Sequence, residues 1–485
     1  MIECPFCGEL IDEDDLVFEF NWGDVATFFY NRGKLPEPRS SLLDRSFYVT
    51  FKYHHGNPLL NTIDTSVNAE HHTGDDPLKL GNGWVQLTKL LTGRKVFEVS
   101  CDKNDKTLPV SACIRTIVKE TPRRNRGVAA DGVSSGIFCP YCEEQLNAEM
   151  LHAKDEVRIV LIGRPGSGKT VYVTQAISEL FQGRQAQAFN IEAANLAVQE
   201  HYNENLRRLR AFGSKFVGAT NPGVQQQPYV FLMNNGKSTI RLVIQDIAGE
   251  DAQNRTKYRK AVAKADMLLF FIDPWHIEEI RKYHIDNNDP SNAIVERANH
   301  GQYQDLDGIF LQMLNGVDKK SVAASGQLAG MLLIKGDYLD PPMLSQDSQP
   351  ECVMMQQPIS FSDPEAMEFS MGLRSSFIRQ CIYMWKSTCN LARQVESKYS
   401  AHNIRYFVAS ALGQSTILRG AENQKRSNGE NSFEDPDDQF GMGDTSDTSD
   451  SGDWNYDEQK LASEPRPEHV IDPILWCLKR KGVKF

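Results

Sequence analysis

The chain has 485 residues, a length that predicts two or three domains. Hydrophobic residues make up 40% and charged residues 24%, the balance of a soluble globular protein. The longest strong apolar run, residues 267–272, falls far short of the roughly 20 residues that span a bilayer. A formal net charge of −11 without a long Lys/Arg run argues against bulk affinity for nucleic acid or a membrane surface. The one basic knot, TPRRNRG at residues 121–127, reads as an exposed linker rather than a nucleic-acid clamp.

Residues 1–150 are expected to form an N-terminal module. Met1-Ile2-Glu3 runs straight into the turn Cys4-Pro5-Phe6-Cys7, and Cys139-Pro140-Tyr141-Cys142 repeats the pattern near the module's end. The two-residue gap of a C-P-x-C turn lets both thiolates face one tetrahedral Zn²⁺. One such turn is half a site, so a shared zinc ribbon of Cys4, Cys7, Cys139 and Cys142 is the economical reading. Cys101 and Cys113 are alternative partners for one turn, but their spacing fits no knuckle, and a buried free thiol is the commoner fate. Cys352, Cys381, Cys389 and Cys477 read as structural. No signal peptide is read, and a cytoplasmic protein without disulfides is expected. Between the turns, SFYVTFKY and KVFEVSC read as strands, so the ribbon carries an inserted β-rich segment. His54, His55, His71 and His72 invite a metal reading. Neighbours on a strand point to opposite faces, however, and exposed loop histidines are preferred.

A second domain is expected over residues 155–420. It opens with the apolar run VRIVLI, then GRPGSGKT at residues 163–170, then VYVTQAISELF with helical spacing. Strand, glycine loop and helix are the context a phosphate-binding loop requires. Gly163, Gly166, Ser167 and Gly168 would turn their amides toward phosphate oxygens. Lys169 would reach the terminal phosphates, and the Thr170 hydroxyl would ligate Mg²⁺. The plain alternative is a glycine turn with no ligand.

Downstream, IEAANLAVQEHYNENLRRLR has helical composition and predicts a helix beside the site. Thr220 is the candidate switch threonine, with an ordinary Asn-Pro-Gly turn as the bland alternative. Thr239 is disfavoured because it opens the next strand, TIRLVIQD. That strand delivers Asp246 to the Mg²⁺ shell, and Gly249 follows with a backbone amide suited to the γ-phosphate. ADMLLFFIDP predicts a core strand ending at Asp273-Pro274, and residues 280–325 read as a polar insertion with one helix. GMLLIKGD then supplies Lys335 and Asp337 after a strand: a lysine stem to pack on guanine and a carboxylate to accept from its N1 and N2 groups. Residues 340–365 read as a loop, followed by one long helix with Leu373, Phe377, Cys381, Ile382, Trp385 and Cys389 on its core stripe. IRYFVASALG predicts a further strand leading to Ser410 and Ala411, whose backbone would close over the base. Residues 421–466, rich in Asp and Ser, read as a disordered acidic insertion. Residues 467–485 predict a terminal helix returning to the sheet.

These motifs resemble the translation-factor-related (TRAFAC) class of P-loop GTPases over roughly residues 157–412. GRPGSGKT, DIAG, IKGD and ASAL take the places of the first, third, fourth and fifth GTPase motifs. The resemblance implies an α/β three-layer sandwich with a mostly parallel sheet, beside the small N-terminal zinc-ribbon module. Two departures stand out: Ile334 replaces the usual Asn or Thr of the fourth motif, and Glu250 stands where small GTPases often keep a water-orienting glutamine. The CPxC ribbon, DIAGE and the terminal PxLW helix together resemble the bacterial double-GTPase family of conflict and signalling systems. That implies a regulatory role in signalling or phage defence, with a protein partner such as an effector or GTPase-activating protein. The expected activity is Mg²⁺-dependent hydrolysis of GTP to GDP and phosphate, with Lys169, Thr220 and Glu250 as catalytic candidates. Two alternatives stay open: a nucleotide-dependent scaffold with little hydrolysis, and an ATP-using P-loop enzyme.

Overall fold

A computed structural model of the chain describes residues 2–11, 16–21, 49–54, 62–65, 78–80, 83–89, 95–101, 107–109, 134–146, 150–151, 153, 155–164, 166–182, 190–210, 228–234, 239–246, 261–286, 314, 317, 319–336, 339, 364–413, 417–418, 459–460 and 465–483. The chain forms two compact units: residues 1–156 with 192–199 and 230–243, and residues 157–191 with 200–229 and 244–485.

In the first unit, strands Ile2–Glu3 and Leu10–Ile11 make a hairpin around the first C-P-x-C turn, with Ile2 opposite Ile11. Strands Ser134–Phe138 and Gln145–Leu146 repeat it around the second, with Ile137 opposite Leu146. Ser134–Phe138 continues through Val17–Asn21 and Val49–His54 to Thr62–Thr65 in a five-stranded antiparallel sheet. Leu78–Leu80, Gly83–Lys89, Lys95–Cys101 and Thr107–Pro109 form a four-stranded one. The strands predicted in SFYVTFKY and KVFEVSC are therefore present.

The largest sheet has seven strands, numbered here in chain order: β1 (Asp155–Ile162), β2 (Asn190–Ala193), β3 (Tyr229–Asn234), β4 (Thr239–Asp246), β5 (Met267–Ile272), β6 (Leu328–Leu333) and β7 (Ile404–Val408). Their spatial order is β2-β3-β4-β1-β5-β6-β7. β1, β5, β6 and β7 pair in parallel, so the loops that follow all four emerge at one carboxyl edge, where open α/β sheets bind ligands. Every residue of β5 and β6 is buried, as befits parallel strands covered on both faces. The helices are α1 (Lys169–Gln182), α2 (Leu196–Arg210), α3 (Glu278–Asp286), α4 (Lys319–Ser325), α5 (Pro364–Met384), α6 (Lys386–Lys398) and α7 (Asp472–Arg480). Among the described residues, no helix is long and apolar enough to cross a membrane.

Four local expectations are corrected. The helix expected from Ile191 onward is preceded by strand β2, because Asn195 caps α2: its side chain accepts the Val198 amide at 2.9 Å. The single long helix is broken into α5 and α6 at Trp385, whose extended backbone (φ −92, ψ 128) stops one helix and caps the next. Of the predicted core stripe, Cys381, Ile382 and Trp385 are buried and Phe377 packs partly against the core, whereas Leu373 is 57% exposed; Met367, Met371 and Ile378 are buried beside them. Among the described residues, the 280–325 region touches two helices, α3 and α4. Within the acidic segment, Gln459–Lys460 is a short strand paired with Ile417–Leu418. The terminal helix does return to the sheet: Trp476 of α7 packs against Phe407 of β7 at 5.7 Å, and Lys481 pairs with Asp266 at 2.7 Å.

Candidate functional site

At the end of β1 the chain turns through the glycine loop directly into α1. Gly166 and Gly168 take positive φ (72 and 85), which side chains rarely adopt. A Cβ on Gly163 would stand 2.8 Å from the Phe271 Cβ of β5, so the loop lies flat on the neighbouring strand only as glycine. The first turn of α1 carries no acidic residue, leaving its amide-rich end unopposed as an anion seat. Lys169 Nζ donates to the carbonyls of Gly163 and Arg164, both at 2.9 Å, and lies 3.9 Å from Asp246 Oδ1. Ser167 Oγ donates to the Arg164 carbonyl at 2.8 Å.

Asp246 is the last residue of β4 and is buried. Its Oδ2 accepts from Thr170 Oγ1 at 3.0 Å, whereas Oδ1 accepts no hydrogen bond among the described residues. Burial raises its pKa, an effect that Lys169 and the Thr170 bond only partly offset. Such an oxygen, desolvated and beside a threonine hydroxyl, suits a hard cation.

β5 and β6 bring up the remaining pieces. Lys335 sits in the left-handed region (φ 58), which aims its ammonium back across the glycine loop to the Gly166 carbonyl at 3.4 Å. It also donates to Asp273 Oδ2 at 2.6 Å. The other Asp273 oxygen accepts the Trp275 amide at 3.1 Å and caps the turn Pro274–His276. Burial alone would raise the Asp273 pKa, yet Lys335 and His276 beside it hold it below its ordinary value. Arg164 Nη1 donates to His276 Nδ1 at 3.3 Å, which requires that ring nitrogen to be unprotonated. Burial, reinforced by Arg164 and Lys335, lowers the His276 pKa to about 4 despite Asp273, so the ring is neutral. Sequence reasoning missed Asp273 as the partner of Lys335. The signal was there in the Asp-Pro that ends an all-apolar strand.

After β7, Ala409 donates to the Leu333 carbonyl at 3.0 Å and its own carbonyl accepts the Gly336 amide at 3.0 Å, tying this loop to that of Lys335. The Ser410 amide, expected to face a base, instead donates to the Glu468 carbonyl at 3.1 Å. The structure thus gathers Gly163, Gly166, Ser167, Gly168, Lys169, Thr170 and Asp246 at one edge, and places Lys335 over the same loop. Thr220, Gly249, Glu250 and Asp337 lie outside the described residues.

The four cysteines meet as expected. Cys4 and Cys142 Sγ are 3.8 Å apart, as are Cys7 and Cys139, and all four sulfurs lie within 4.8 Å of one another. A tetrahedron with metal–sulfur bonds of about 2.3 Å has S–S edges of roughly 3.8 Å. The two turns share one hydrogen-bond scheme: Cys4 N–H to Glu9 O and Gly8 N–H to Cys4 O correspond to Cys139 N–H to Glu144 O and Glu143 N–H to Cys139 O. Crowding by the Cys139 sulfur drives the Cys4 and Cys142 thiols well above their ordinary range. Cys101 ends a strand, and Cys113 lies outside the described residues.

Fold and site together define an α/β domain whose glycine loop opens α1 at the carboxyl edge of the seven-stranded sheet. Residues 160–315 match the family model described as Double-GTPase 1. No curated protein matches the chain. Similar solved structures include Sup35 complexed with GDP (13% identity, 54% of this chain and 38% of that one, TM-score 0.19). Another is a bacterial selenocysteine-specific elongation factor (14% identity, 56% and 28%, TM-score 0.20). The chain therefore spans well under half the length of these two proteins.

Proposed function

We propose that the chain is a Mg²⁺-dependent GTP-binding and GTP-hydrolysing switch. The observation that carries this reading is the convergence of Lys169, Thr170 and Asp246 with Lys335 about one glycine loop. On this reading the amides of Gly166, Ser167 and Gly168 receive phosphate oxygens, and Lys169 exchanges its two loop carbonyls for the terminal phosphates. Thr170 and Asp246 would hold Mg²⁺, which supplies charge neutralisation on the phosphates when bound. Lys335 packs on the base and Asp337 accepts from its N1 and N2 groups. With the Ser410 amide committed to Glu468, the closing contact falls to Ala411. Thr220 and Gly249 order around the γ-phosphate, and Glu250 or a partner residue orients the attacking water. Water adds to the γ-phosphorus as the bond to the bridging oxygen breaks, giving GDP and phosphate.

The domain reading is part of the proposal: a GTPase domain over residues 155–420, a split zinc ribbon with its insertion over 1–150, an acidic insertion over 421–466 and a returning helix over 467–485. Cys4, Cys7, Cys139 and Cys142 would hold Zn²⁺ and so close the ribbon across its long insertion. The same reading makes the chain a regulatory component of a bacterial cytoplasmic signalling or defence system, with an effector or GTPase-activating protein as partner, and rests on the resemblance of its CPxC turns, DIAGE and PxLW helix. Purified chain should bind GTP tightly and lose that binding on Lys169→Ala. Equal affinity for ATP and GTP would remove the guanine claim and favour an ATP-using enzyme.

One observation favours a second reading, a GTP-dependent scaffold with little turnover. Ile334, buried at 1% exposure, leaves its motif without the usual polar side chain, and Glu250 replaces the usual glutamine. Single-turnover hydrolysis with and without partner extract separates the two, since fast unaided turnover eliminates the scaffold.

A further inference from the structure

Ile417–Leu418 and Gln459–Lys460 pair as two short antiparallel strands, and residues 466–468 run beside the loop that follows β7. Ile417 lies opposite Lys460 and Leu418 opposite Gln459. Closer to the sheet, the Arg466 amide donates to the Leu412 carbonyl at 2.8 Å. Glu468 and Ser410 exchange both backbone bonds, at 2.8 and 3.1 Å. The returning sequence is Pro465-Arg466-Pro467-Glu468, so only alternate residues carry an amide hydrogen, and those two are the ones that donate. The prolines lack a donor, and each biases the residue before it toward extended backbone, so the segment is shaped as an edge strand before it docks.

Gly413 shows how close the fit is. It sits at φ 66, its amide donates to Ser410 Oγ at 2.8 Å, and an added Cβ would stand 2.2 Å from the Arg466 carbonyl oxygen. That neighbour is backbone and has no rotamer to escape into. Beyond Glu468 the segment is anchored: His469 (φ 56) and Asp472 both meet the buried Arg374 of α5, at 2.9 and 3.1 Å.

We propose that residues 466–468 are a strap that positions the base-closing loop 409–411 and thereby sets the rate of nucleotide release. This rests on the reading of the cleft as a guanine-nucleotide site. The loop is held from one side by Leu333 and Gly336, and from the other by the strap. The strap's backbone bonds go to Leu412 and Ser410, so loosening it affects the base contact at Ala411 and leaves phosphate binding in place.

The test uses the full chain, following dissociation of N-methylanthraniloyl-GDP, affinity for inorganic tripolyphosphate (which has no base) and thermal midpoint. Gly413→Ala and Glu468→Pro should each release GDP about tenfold faster, the loss of one or two backbone hydrogen bonds, with tripolyphosphate affinity unchanged. Glu468→Ala keeps the amide and should behave as wild type. Wild-type release from both Gly413→Ala and Glu468→Pro would overturn the strap. So would equal losses of GDP and tripolyphosphate, which mean general damage rather than a loosened base contact. Wild-type protein that holds tripolyphosphate but gains nothing from guanosine would remove the guanine reading first, and the strap with it.

Discussion

Asp273→Asn tests how Lys335 is held against the glycine loop. The two oxygens of Asp273 have separate duties: Oδ1 accepts the Trp275 amide at 3.1 Å, and Oδ2 accepts Lys335 Nζ at 2.6 Å. Asparagine keeps the first bond and so preserves the turn Pro274–His276, but removes the charge that faces the ammonium. Charge-assisted bonds are roughly twice as strong as neutral ones, so about 1–1.5 kcal/mol of positioning is lost. GDP affinity should fall about tenfold, and affinity for base-free tripolyphosphate should change little. Competition titrations of the two ligands on the same protein measure this directly. Folding stability carries a second readout. Because the folded-state pKa of Asp273 is depressed below its ordinary 3.8, the ion pair stabilises above that pH and is lost as pH falls through the folded value. The stability gap between wild type and Asp273→Asn should therefore be present at neutral pH and close below pH 3.8. A gap that persists in acid, or equal losses of GDP and tripolyphosphate, refutes this account of Lys335.

Asp246 has the opposite sign. Its pKa is raised by burial, so the ionised form costs stability above that pKa; Asp246→Asn should stabilise the fold by about 1 kcal/mol, seen as a higher thermal midpoint in calorimetry, while removing Mg²⁺-supported nucleotide binding. Zinc analysis should find about one ion per chain, lost in either Cys4→Ser or Cys139→Ser if the site is shared; full retention in one of them would exclude sharing. Glu143 occupies, at φ 60, the position that Gly8 fills in the first turn, so Glu143→Gly should stabilise the unit by about 1 kcal/mol in denaturant unfolding.

The motif-bearing elements were legible because their signals are local. An all-apolar run such as MLLFFI reads as a buried parallel strand, and GRPGSGKT between strand and helix reads as a glycine loop opening α1. Helix breaks were less legible. Trp385 interrupts α5 and α6 with no proline or glycine to announce it, since tertiary packing of the indole outweighs its local preference. The core stripe of α5 was legible at Cys381, Ile382 and Trp385 but not at its start, where Leu373 is exposed while Met371 and Ile378 are buried.

By itself the sequence determined which chemistry is available: an amide-lined loop with its lysine, a carboxylate at the end of a strand, and four thiols in two matched turns. These follow from residue type and near-neighbour spacing, which the covalent chain fixes in advance. Only the tertiary structure decided the pairings between distant segments: Lys335 with Asp273, Arg164 with His276, and Ser410 with Glu468. Parallel strands bring loops far apart in sequence to one edge, and which side chains meet there depends on strand order and register, which no local pattern encodes.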